Sequence, residues 1–345
     1  MNENRIQLVG APGSPYTQKM LALMRFRRIP YAVTWSDIPS FCAALGVTPP
    51  KPALAPTFFF PDEEGLAAVC DSTPIIRRLE AMYAERSVIP EDPAVAFLDY
   101  LIEDFADEWC TKYMFHYRWH FAADADKAGT VLPLSMSSTL SAADLKTAKA
   151  MFAERQIGRL YVVGSNDTTA GVIDASYRRF LSAMEEHLAH QRYLLGRRPS
   201  ACDFALHGQL SQLIGFDPTP RAIAHEVSPR VVAWVDCAYD LSGLEPEDDH
   251  WVNLENQAKS LHAILTEIGR VYVPAQLSNA AAHAAGQKEW ACEIDGAAWT
   301  QRTFPYQSKC LQWTRERYAS LSDKDRARVD GMLAGTGIEK MLAGA

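Results

Sequence analysis

The sequence lacks the features that mark membrane-spanning and nucleic-acid-binding proteins. No apolar run reaches the roughly 18 residues that a membrane-spanning helix needs. No run of five or more basic residues occurs, and the formal net charge is −8, from 34 Lys and Arg against 42 Asp and Glu. A basic patch is the usual electrostatic footprint of nucleic-acid binding. We therefore expect neither a membrane span nor a nucleic-acid partner.

Cysteines are also few and scattered. There are 7 of them, an odd number, and no two form a Cys-x-x-Cys pair. This spacing disfavours both a disulfide framework and a zinc site, so we expect reduced thiols in the core and no metal. The first residues, 1–5, carry no apolar signal segment. These features predict a cytoplasmic protein.

The first part of the chain contains alternating strand and helix patterns. Short apolar runs rich in β-formers predict strands, and an apolar stripe with helical spacing follows Ser14. A proline-dense loop at 48–56 and a turn at 61–65 separate the later strands. The predicted strands are 5–9, 31–35, 57–60 and 66–70, and the predicted helices are 15–28 and a helix beginning at 71–74. This order is that of a thioredoxin-like domain.

Ser14 stands at the beginning of the first predicted helix. Serine is a favoured N-cap, and Pro15 suits the first helical position. A hydroxyl at the positive end of a helix is also suited to holding a thiolate. On these residues alone helix capping is the simpler interpretation, and the thiolate interpretation stays open.

Three short motifs in this domain are together typical of one known family. They are Ser14-Pro15-Tyr16-Thr17, Ala55-Pro56-Thr57 and Asp71-Ser72, in that order along the chain. Together they resemble the N-terminal domain of glutathione S-transferases. The resemblance implies a cis bond before Pro56 and pairing of the Ala55 backbone with the cysteinyl part of glutathione.

The same resemblance implies roles for the other site residues. Asp71 and Ser72 would hold the γ-glutamyl end, although helix capping alone also explains an Asp-Ser pair. Lys51 is the candidate contact for the glycyl carboxylate. Ser14 would donate a hydrogen bond to the glutathione thiolate, as in serine-type transferases. Because Ser14 and Thr17 stand where related thiol reductases carry cysteines, disulfide exchange at this loop is disfavoured.

A long helix is predicted over 94–121, after a linker at 90–93. It is dense in aromatic residues, and Trp109, Tyr113 and His116 share one face. In the family this helix borders the second-substrate pocket, so these three residues are candidates for its wall. Core packing or a dimer interface is the alternative. A metal site at His116 and His120 is disfavoured because no third ligand shares their face.

The remaining sequence reads as mostly helical. An Ala-, Ser- and Gly-rich segment at 122–139 predicts an exposed loop, and helices are predicted at 141–160 and 171–190. Ser200 and Asp203 have capping-box spacing and resemble the fold-nucleating segment of the transferase helical domain. Beyond about residue 246 the chain exceeds that domain. There we predict helices at 251–269, 271–285 and 308–320, a hairpin turning at Asp295-Gly296, and a last helix capped by 322–325.

Taken together, the sequence predicts an α/β thioredoxin-like N-terminal domain at 1–88 and an all-α domain at 93–245. A mostly helical C-terminal extension at 246–345 packs on the helical domain. The resemblance implies a homodimeric enzyme that transfers glutathione, its co-substrate, to a small electrophile, with Ser14 activating the thiolate. The alternative is a non-catalytic transferase-like scaffold that acts through the extension. Lyase or isomerase chemistry at the same site stays open.

Overall fold

The N-terminal part is a four-stranded sheet with helices around it. The computed structural model describes residues 5–63, 65–247 and 251–343, so Glu64 of the predicted turn lies outside the described residues. The strands are β1 (Ile6–Gly10), β2 (Tyr31–Trp35), β3 (Thr57–Asp62) and β4 (Gly65–Val69), and the helices are α1 (Pro15–Phe26), α2 (Ile38–Leu45) and α3 (Ser72–Met82). The strand order is β2-β1-β3-β4. β1 is parallel to β2 and antiparallel to β3, and β4 is antiparallel to β3. The predicted thioredoxin-like fold is confirmed, although the sequence interpretation missed α2.

Helix α1 joins this sheet to the helical part of the molecule. It packs against α9 (Ala201–Leu213), whose residues are all buried. A Cβ at Gly208 would lie 2.5 Å from the carbonyl oxygen of Pro15, so only glycine permits this approach of the two helices. The rings of Phe26 and Phe204 meet with centroids 5.6 Å apart. The N-terminus of α1, where Ser14 lies, is therefore fixed against the helical domain.

The long helix predicted over 94–121 is confirmed, with one irregular turn in the middle. Helix α4 (Pro93–Phe105) continues through a π-helical segment (Ala106–Cys110) into α5 (Thr111–His120). A π-helical turn alters the regular backbone hydrogen bonding and is common at functional sites. Here the carbonyl oxygen of Asp107 accepts a hydrogen bond from the Tyr16 hydroxyl at 2.8 Å. The irregular turn thus contacts the N-terminal domain directly beside Ser14.

The loop predicted at 122–139 is wrong. Residues Ala122–Met136 form helix α6. Ala125, Ala128 and Leu132 are buried together with Trp119, and their spacing of three and four residues is helical. The small side chains indicate close packing and not a loop. The other helices of this domain are α7 (Ala142–Ile157), α8 (Ala170–Leu188), α10 (Pro218–Val227) and α11 (Pro229–Ala238).

The capping box before α9 is confirmed. The Ser200 backbone N–H donates to Asp203 Oδ2 at 2.9 Å. The second oxygen of Asp203, Oδ1, accepts from the backbone N–H of Leu194, also at 2.9 Å. One buried carboxylate therefore begins the central helix and holds the segment that precedes it.

The C-terminal extension is ordered and largely helical. It comprises α12 (Leu261–Glu267), a π-helical segment (Ile268–Tyr272), α13 (Val273–Ala284), β5 (Glu289–Ile294), β6 (Ala297–Arg302), α14 (Pro305–Ala319), α15 (Asp323–Leu333) and α16 (Glu339–Leu342). The predicted hairpin is confirmed, since Asp295 and Gly296 have φ of 52° and 80°, as a type I′ turn requires. The helix predicted from 251 is wrong in its first half, because Trp251 instead forms a β-bridge with Gly196.

Ion pairs and aromatic packing attach the extension to the helical domain. Arg328 Nη2 lies 2.7 Å from Asp92 Oδ2, at the start of α4. Arg179 Nε lies 2.7 Å from Glu267 Oε2. The ring of Trp299 in the extension packs on the ring of Trp109.

Within residues 5–63, 65–247 and 251–343, we find no helix with the length and apolar character needed to cross a membrane.

Several carboxyl groups of α4 and its π-helical segment are buried between these parts of the molecule. Burial raises the pKa of Asp104 to about 7. Burial, and then the neighbouring carboxyl groups of Asp104 and Asp107, raise the pKa of Glu108 to about 8. Glu108 Oε2 accepts a hydrogen bond from Gln307 Nε2 of the extension at 3.2 Å. Glu108 therefore takes up a proton on folding.

Replacing Glu108 by Gln should flatten the dependence of stability on pH. Because an unfolded glutamate titrates near about pH 4.3 and the folded one near pH 8, the unfolding free energy of the wild type falls as pH rises between these values. Gln does not titrate, so we expect E108Q to gain about 4 kcal/mol relative to the wild type between about pH 5 and about pH 8.5. Urea denaturation at both pH values measures this. Replacing the exposed Glu154 by Gln is the control, and equal pH slopes for wild type and E108Q would contradict the assignment.

Candidate functional site

Ser14 and Ala55 lie in contact at the end of β1 and the beginning of α1. The Ser14 hydroxyl oxygen accepts from the backbone N–H of Thr17 at 3.2 Å, so Ser14 caps α1. The same hydroxyl donates to the carbonyl oxygen of Ala55 at 3.1 Å. The Ala55-Pro56 bond is cis, as the resemblance implied. The structure thus brings together two predicted site residues that lie 41 positions apart in sequence.

The loop that carries Ser14 is held by the helical domain. Arg118, which is 3% exposed, donates through Nη1 to the carbonyl oxygen of Gly13 at 2.9 Å. Its Nε lies 3.0 Å from each carboxylate oxygen of Asp217, and Nη2 donates to Gln212 Oε1 at 2.9 Å. An arginine with all its nitrogens engaged has little freedom. Arg118 therefore sets the position of the backbone directly before Ser14.

Asp71 lies at the entrance to α3 in a strained backbone conformation. Its φ is 84°, which a non-glycine residue rarely adopts and which costs about 1–3 kcal/mol. Its side chain makes no well-formed capping hydrogen bond within the described residues of α3, although the backbone N–H of Thr73 acts on the carboxyl group to lower its pKa. Instead, Asp71 Oδ2 accepts from the Tyr306 hydroxyl at 2.7 Å. Helix capping alone therefore does not account for this aspartate, and such strain is typical of functional sites.

Ser72, the first residue of α3, is backed by a buried lysine. Lys19 has no exposed surface, and its Nζ donates to Ser72 Oγ at 3.0 Å. The same ammonium donates to Glu103 Oε1 at 2.8 Å and Asp107 Oδ2 at 2.6 Å. Because an ammonium only donates, Ser72 accepts from it and keeps its own hydroxyl hydrogen for another acceptor.

The charges in this cluster are maintained by its own members. Burial acts to lower the pKa of Lys19, but the carboxylates of Asp107 and Glu103 outweigh burial, so its pKa is raised and it stays charged. Burial raises the pKa of Asp71, while the hydrogen bond from Tyr306 and the charge of Lys19 act in the opposite direction. The site therefore combines a fixed cation behind Ser72 with a carboxyl group that its neighbours help to ionise.

This arrangement offers complementary groups side by side. Ser72 has a hydroxyl hydrogen to donate, a helix N-terminus and the charge of Lys19 behind it, all of which favour an anion. The adjacent Asp71 supplies an acceptor for a cation. A carboxylate and an ammonium on one carbon, as in an α-amino acid, match such a pair of groups.

The candidates for the second-substrate pocket are buried. Trp109, Tyr113 and His116 each have 0% exposure. Trp109 Nε1 donates to the Tyr113 hydroxyl at 3.0 Å, and the Trp109 ring packs on Trp299 of the extension with centroids 5.5 Å apart. This packing favours the core interpretation over a pocket wall for these three residues.

The remaining candidates are Lys51 and the pair His116 and His120. Lys51 is exposed, and the bond to the following proline, Lys51-Pro52, is cis. The His116 and His120 rings stack with centroids 4.6 Å apart. Throughout the described part of the chain, no three His, Cys, Asp or Glu side chains are grouped to hold a metal ion.

Sequence reasoning missed Lys19, Arg118 and Tyr306. Only Lys19 could have been identified from the local sequence. Lys19, Leu23 and Phe26 share one face of α1 by their spacing, and a cation on an apolar face indicates a buried charge with a partner. For Arg118 and Tyr306 no local signal existed, because their partners are distant in sequence.

Two domain models of one family match the chain. The model described as glutathione S-transferase, N-terminal domain, matches residues 8–87. The model described as glutathione S-transferase, C-terminal domain, matches residues 166–237. A comparison with curated protein sequences finds no match.

Solved structures similar to the chain include several glutathione S-transferases. One, from Rhodospirillum rubrum F11, is 17% identical with a TM-score of 0.41, and the match covers 75% of this chain and 98% of that one. A transferase family member from Pseudomonas fluorescens with two glutathione bound is 14% identical with a TM-score of 0.40, covering 69% and 93%. Maleylacetoacetate isomerase from Anaeromyxobacter dehalogenans, with bound dicarboxyethyl glutathione and citrate, is 15% identical with a TM-score of 0.39, covering 72% and 97%.

The two domain models match in the order in which the family arranges them, and the first spans the sheet with Ser14, the cis Ala55-Pro56 bond and Asp71-Ser72. Residues 8–87 and 166–237 therefore form the N-terminal and C-terminal domains of a glutathione S-transferase.

Proposed function

We propose that this protein is a glutathione transferase in which Ser14 stabilises the glutathione thiolate for attack on a small electrophile. The observation that carries the proposal is the contact between the Ser14 hydroxyl and the Ala55 carbonyl oxygen, 3.1 Å apart. In the family, the backbone of the residue before the cis proline pairs with the cysteinyl part of glutathione. A cysteinyl group bound there places its sulfur beside Ser14.

The Ser14 hydroxyl can serve the helix and the sulfur together. Its oxygen accepts from Thr17 N–H, while its hydrogen points to Ala55. Rotation about the Cβ–Oγ bond turns that hydrogen towards a sulfur and leaves the oxygen in place as the cap. A hydrogen bond from a hydroxyl at the positive end of α1 favours the thiolate over the thiol.

The other end of glutathione fits the Asp71–Ser72 pair. The γ-glutamyl group is an α-amino acid whose carboxylate suits Ser72, backed by Lys19, and whose ammonium suits Asp71. Lys51 is the proposed contact for the glycyl carboxylate. With glutathione held at both ends, catalysis consists of lowering the thiol pKa and bringing the thiolate to the electrophile. The thiol proton leaves to solvent and the sulfur forms the new bond to the electrophile. In substitution the electrophile releases its leaving group with the bonding pair, as halide from an aryl halide, and in addition it takes up a proton from solvent. The protein supplies no nucleophile.

The proposal includes the context in which the enzyme works. The domains are 1–88 for glutathione binding, 93–245 for the helical domain and 246–345 for the extension. We propose a homodimer acting in the cytoplasm, as family resemblance and composition imply.

One observation favours a second function, that of a non-catalytic scaffold. Tyr306 of the extension already bonds to Asp71 at 2.7 Å. If the extension closed the γ-glutamyl position, the fold would serve a binding role without turnover. Calorimetric titration with reduced glutathione separates the two, since a scaffold with a closed site binds no glutathione at millimolar concentration.

Replacing Ser14 by Ala should raise the pKa of the bound glutathione thiol. A hydrogen bond to a charged group contributes about 1.5–3 kcal/mol, which corresponds to about 1–2 pH units. The ultraviolet absorbance of the thiolate, followed against pH at saturating glutathione, measures the shift. Turnover with aryl halide electrophiles should fall about 10–100-fold, with little change in glutathione affinity.

Two variants control for loss of the helix cap. Ser14→Thr keeps both hydroxyl and cap and should keep the low thiol pKa. Ser141→Ala removes a comparable cap from α7, where Ser141 accepts from the Asp144 N–H at 3.2 Å, and should leave the thiol unchanged. An S14A protein with an unaltered thiol pKa and unaltered turnover would rule out the role of Ser14.

Replacing Asp71 by Asn or Ser72 by Ala should mainly weaken glutathione binding. Each removes a hydrogen bond to a charged group of the ligand, so we expect a Kd higher by about 10–100-fold in calorimetry. Asp37→Asn is the matched control, because Asp37 caps α2 in the same domain. Unchanged affinity in both site variants would show that the pair serves only the helix.

A further inference from the structure

The C-terminal extension contacts the proposed γ-glutamyl position directly. Tyr306 donates its hydroxyl to Asp71 Oδ2 at 2.7 Å, across 235 positions of sequence. The next residue, Gln307, donates to Glu108 Oε2 at 3.2 Å. Two successive side chains at the beginning of α14 thus join the extension to α3 and to the π-helical segment.

The segment that presents Tyr306 is fixed from behind. Asn279 of α13 has no exposed surface. Its Oδ1 accepts from the backbone N–H of Phe304 at 2.8 Å, and its Nδ2 donates to the carbonyl oxygen of Phe304 at 3.0 Å. Nδ2 also lies 3.1 Å from Ser308 Oγ. One buried amide therefore holds both sides of Tyr306, which makes Tyr306 a built part of the site and not a loose cover.

Tyr306 is a donor at the rim of the site. Its side chain is 43% exposed and meets Trp313 edge to face, with centroids 6.1 Å apart. Partial burial, and then the neighbouring Cys310 and Asp71, raise the pKa of its hydroxyl above the ordinary value. It therefore stays protonated at neutral pH and donates to the carboxylate.

The Tyr306 hydroxyl is the main hydrogen-bond donor to the Asp71 carboxylate. The Asp71 carboxylate makes no well-formed capping bond within the described residues of α3. The Tyr306 hydroxyl lowers the pKa of Asp71 more than the backbone N–H of Thr73 does, so Tyr306 has the larger part in orienting the carboxylate. A carboxylate has about four acceptor positions, so one phenol does not saturate it. The hydrogen bond also favours the charged form of Asp71, which is the form that binds an ammonium group.

We propose that Tyr306 is a positioning residue, which orients the Asp71 carboxylate for the ammonium group of the γ-glutamyl moiety. The C-terminal extension is then part of the glutathione site. This inference rests on the proposed function, since it takes glutathione as the ligand. It assigns to the extension a role in selecting a ligand with a free α-amino group.

The test combines a variant of the protein with a variant of the ligand. The probes are reduced glutathione and its analogue without the α-amino group, titrated calorimetrically against the full chain. We expect Tyr306→Phe to weaken glutathione binding about 5–10-fold. It should leave binding of the deaminated analogue unchanged, because the lost hydrogen bond acts only through Asp71 and the ammonium. In steady-state kinetics, KM for glutathione should rise while kcat stays constant.

Tyr318→Phe is the matched control. Tyr318 lies on the same helix and also donates to an aspartate, Asp330, away from the site. The Tyr318→Phe variant should bind both probes as the wild type does. A general disturbance of α14 would weaken both ligands equally in Y306F, and that result would overturn the positioning role.

Three other outcomes would also decide between these interpretations. Tighter glutathione binding by Y306F would show that Tyr306 competes with the ligand for Asp71, and would overturn the inference while leaving the proposed function intact. Equal binding by Y306F and Y318F, with a loss in Asp71→Asn, would do the same. A wild-type protein that binds no glutathione would overturn both the inference and the proposed function.

Discussion

The buried ammonium group of Lys19 is the interaction on which the rest of the site depends. It bonds to Ser72, Glu103 and Asp107 at 2.6–3.0 Å and so joins α1, α3 and the long helix of the second domain. Burying a charge costs several kcal/mol unless good partners surround it. Here the same partners that stabilise the charge also join the domains and place a cation behind Ser72. Domain packing and the proposed ligand recognition therefore use one ion cluster.

The C-terminal extension also contacts the carboxyl groups of the long helix of the second domain. Side chains of the extension cover the acidic face of α4 and its π-helical segment and donate hydrogen bonds to its carboxyl groups. Tyr272 donates to Asp104 Oδ2 at 2.6 Å, and Gln307 donates to Glu108. Buried carboxyl groups need such donors. By covering these groups, the extension brings the beginning of α14, and with it Tyr306, to Asp71. The contacts that pack the extension on the long helix therefore also place Tyr306 for its proposed part in binding.

Sequence reasoning succeeded where the signal was local. The cap at Ser14, the capping box at Ser200, the turn at Asp295-Gly296 and the long aromatic helix all depend on residues a few positions apart, and the structure confirms them. It failed at 122–139, where small residues suggested a loop but packing against Trp119 made a helix. It failed again near Trp251, where a long-range bridge to Gly196 replaced the predicted helix.

The sequence by itself determined the thioredoxin-like order of elements, the helical second domain, the resemblance to the family and the positions of Ser14, Ala55, Asp71 and Ser72. Only the tertiary structure decided what surrounds these residues. The partners Arg118 for the Ser14 loop, Lys19 for Ser72 and Tyr306 for Asp71 come from 53 to 235 positions away. A hydrogen bond across such a separation leaves no periodicity or spacing in the chain. It exists because close packing of three parts of the molecule brings the groups together.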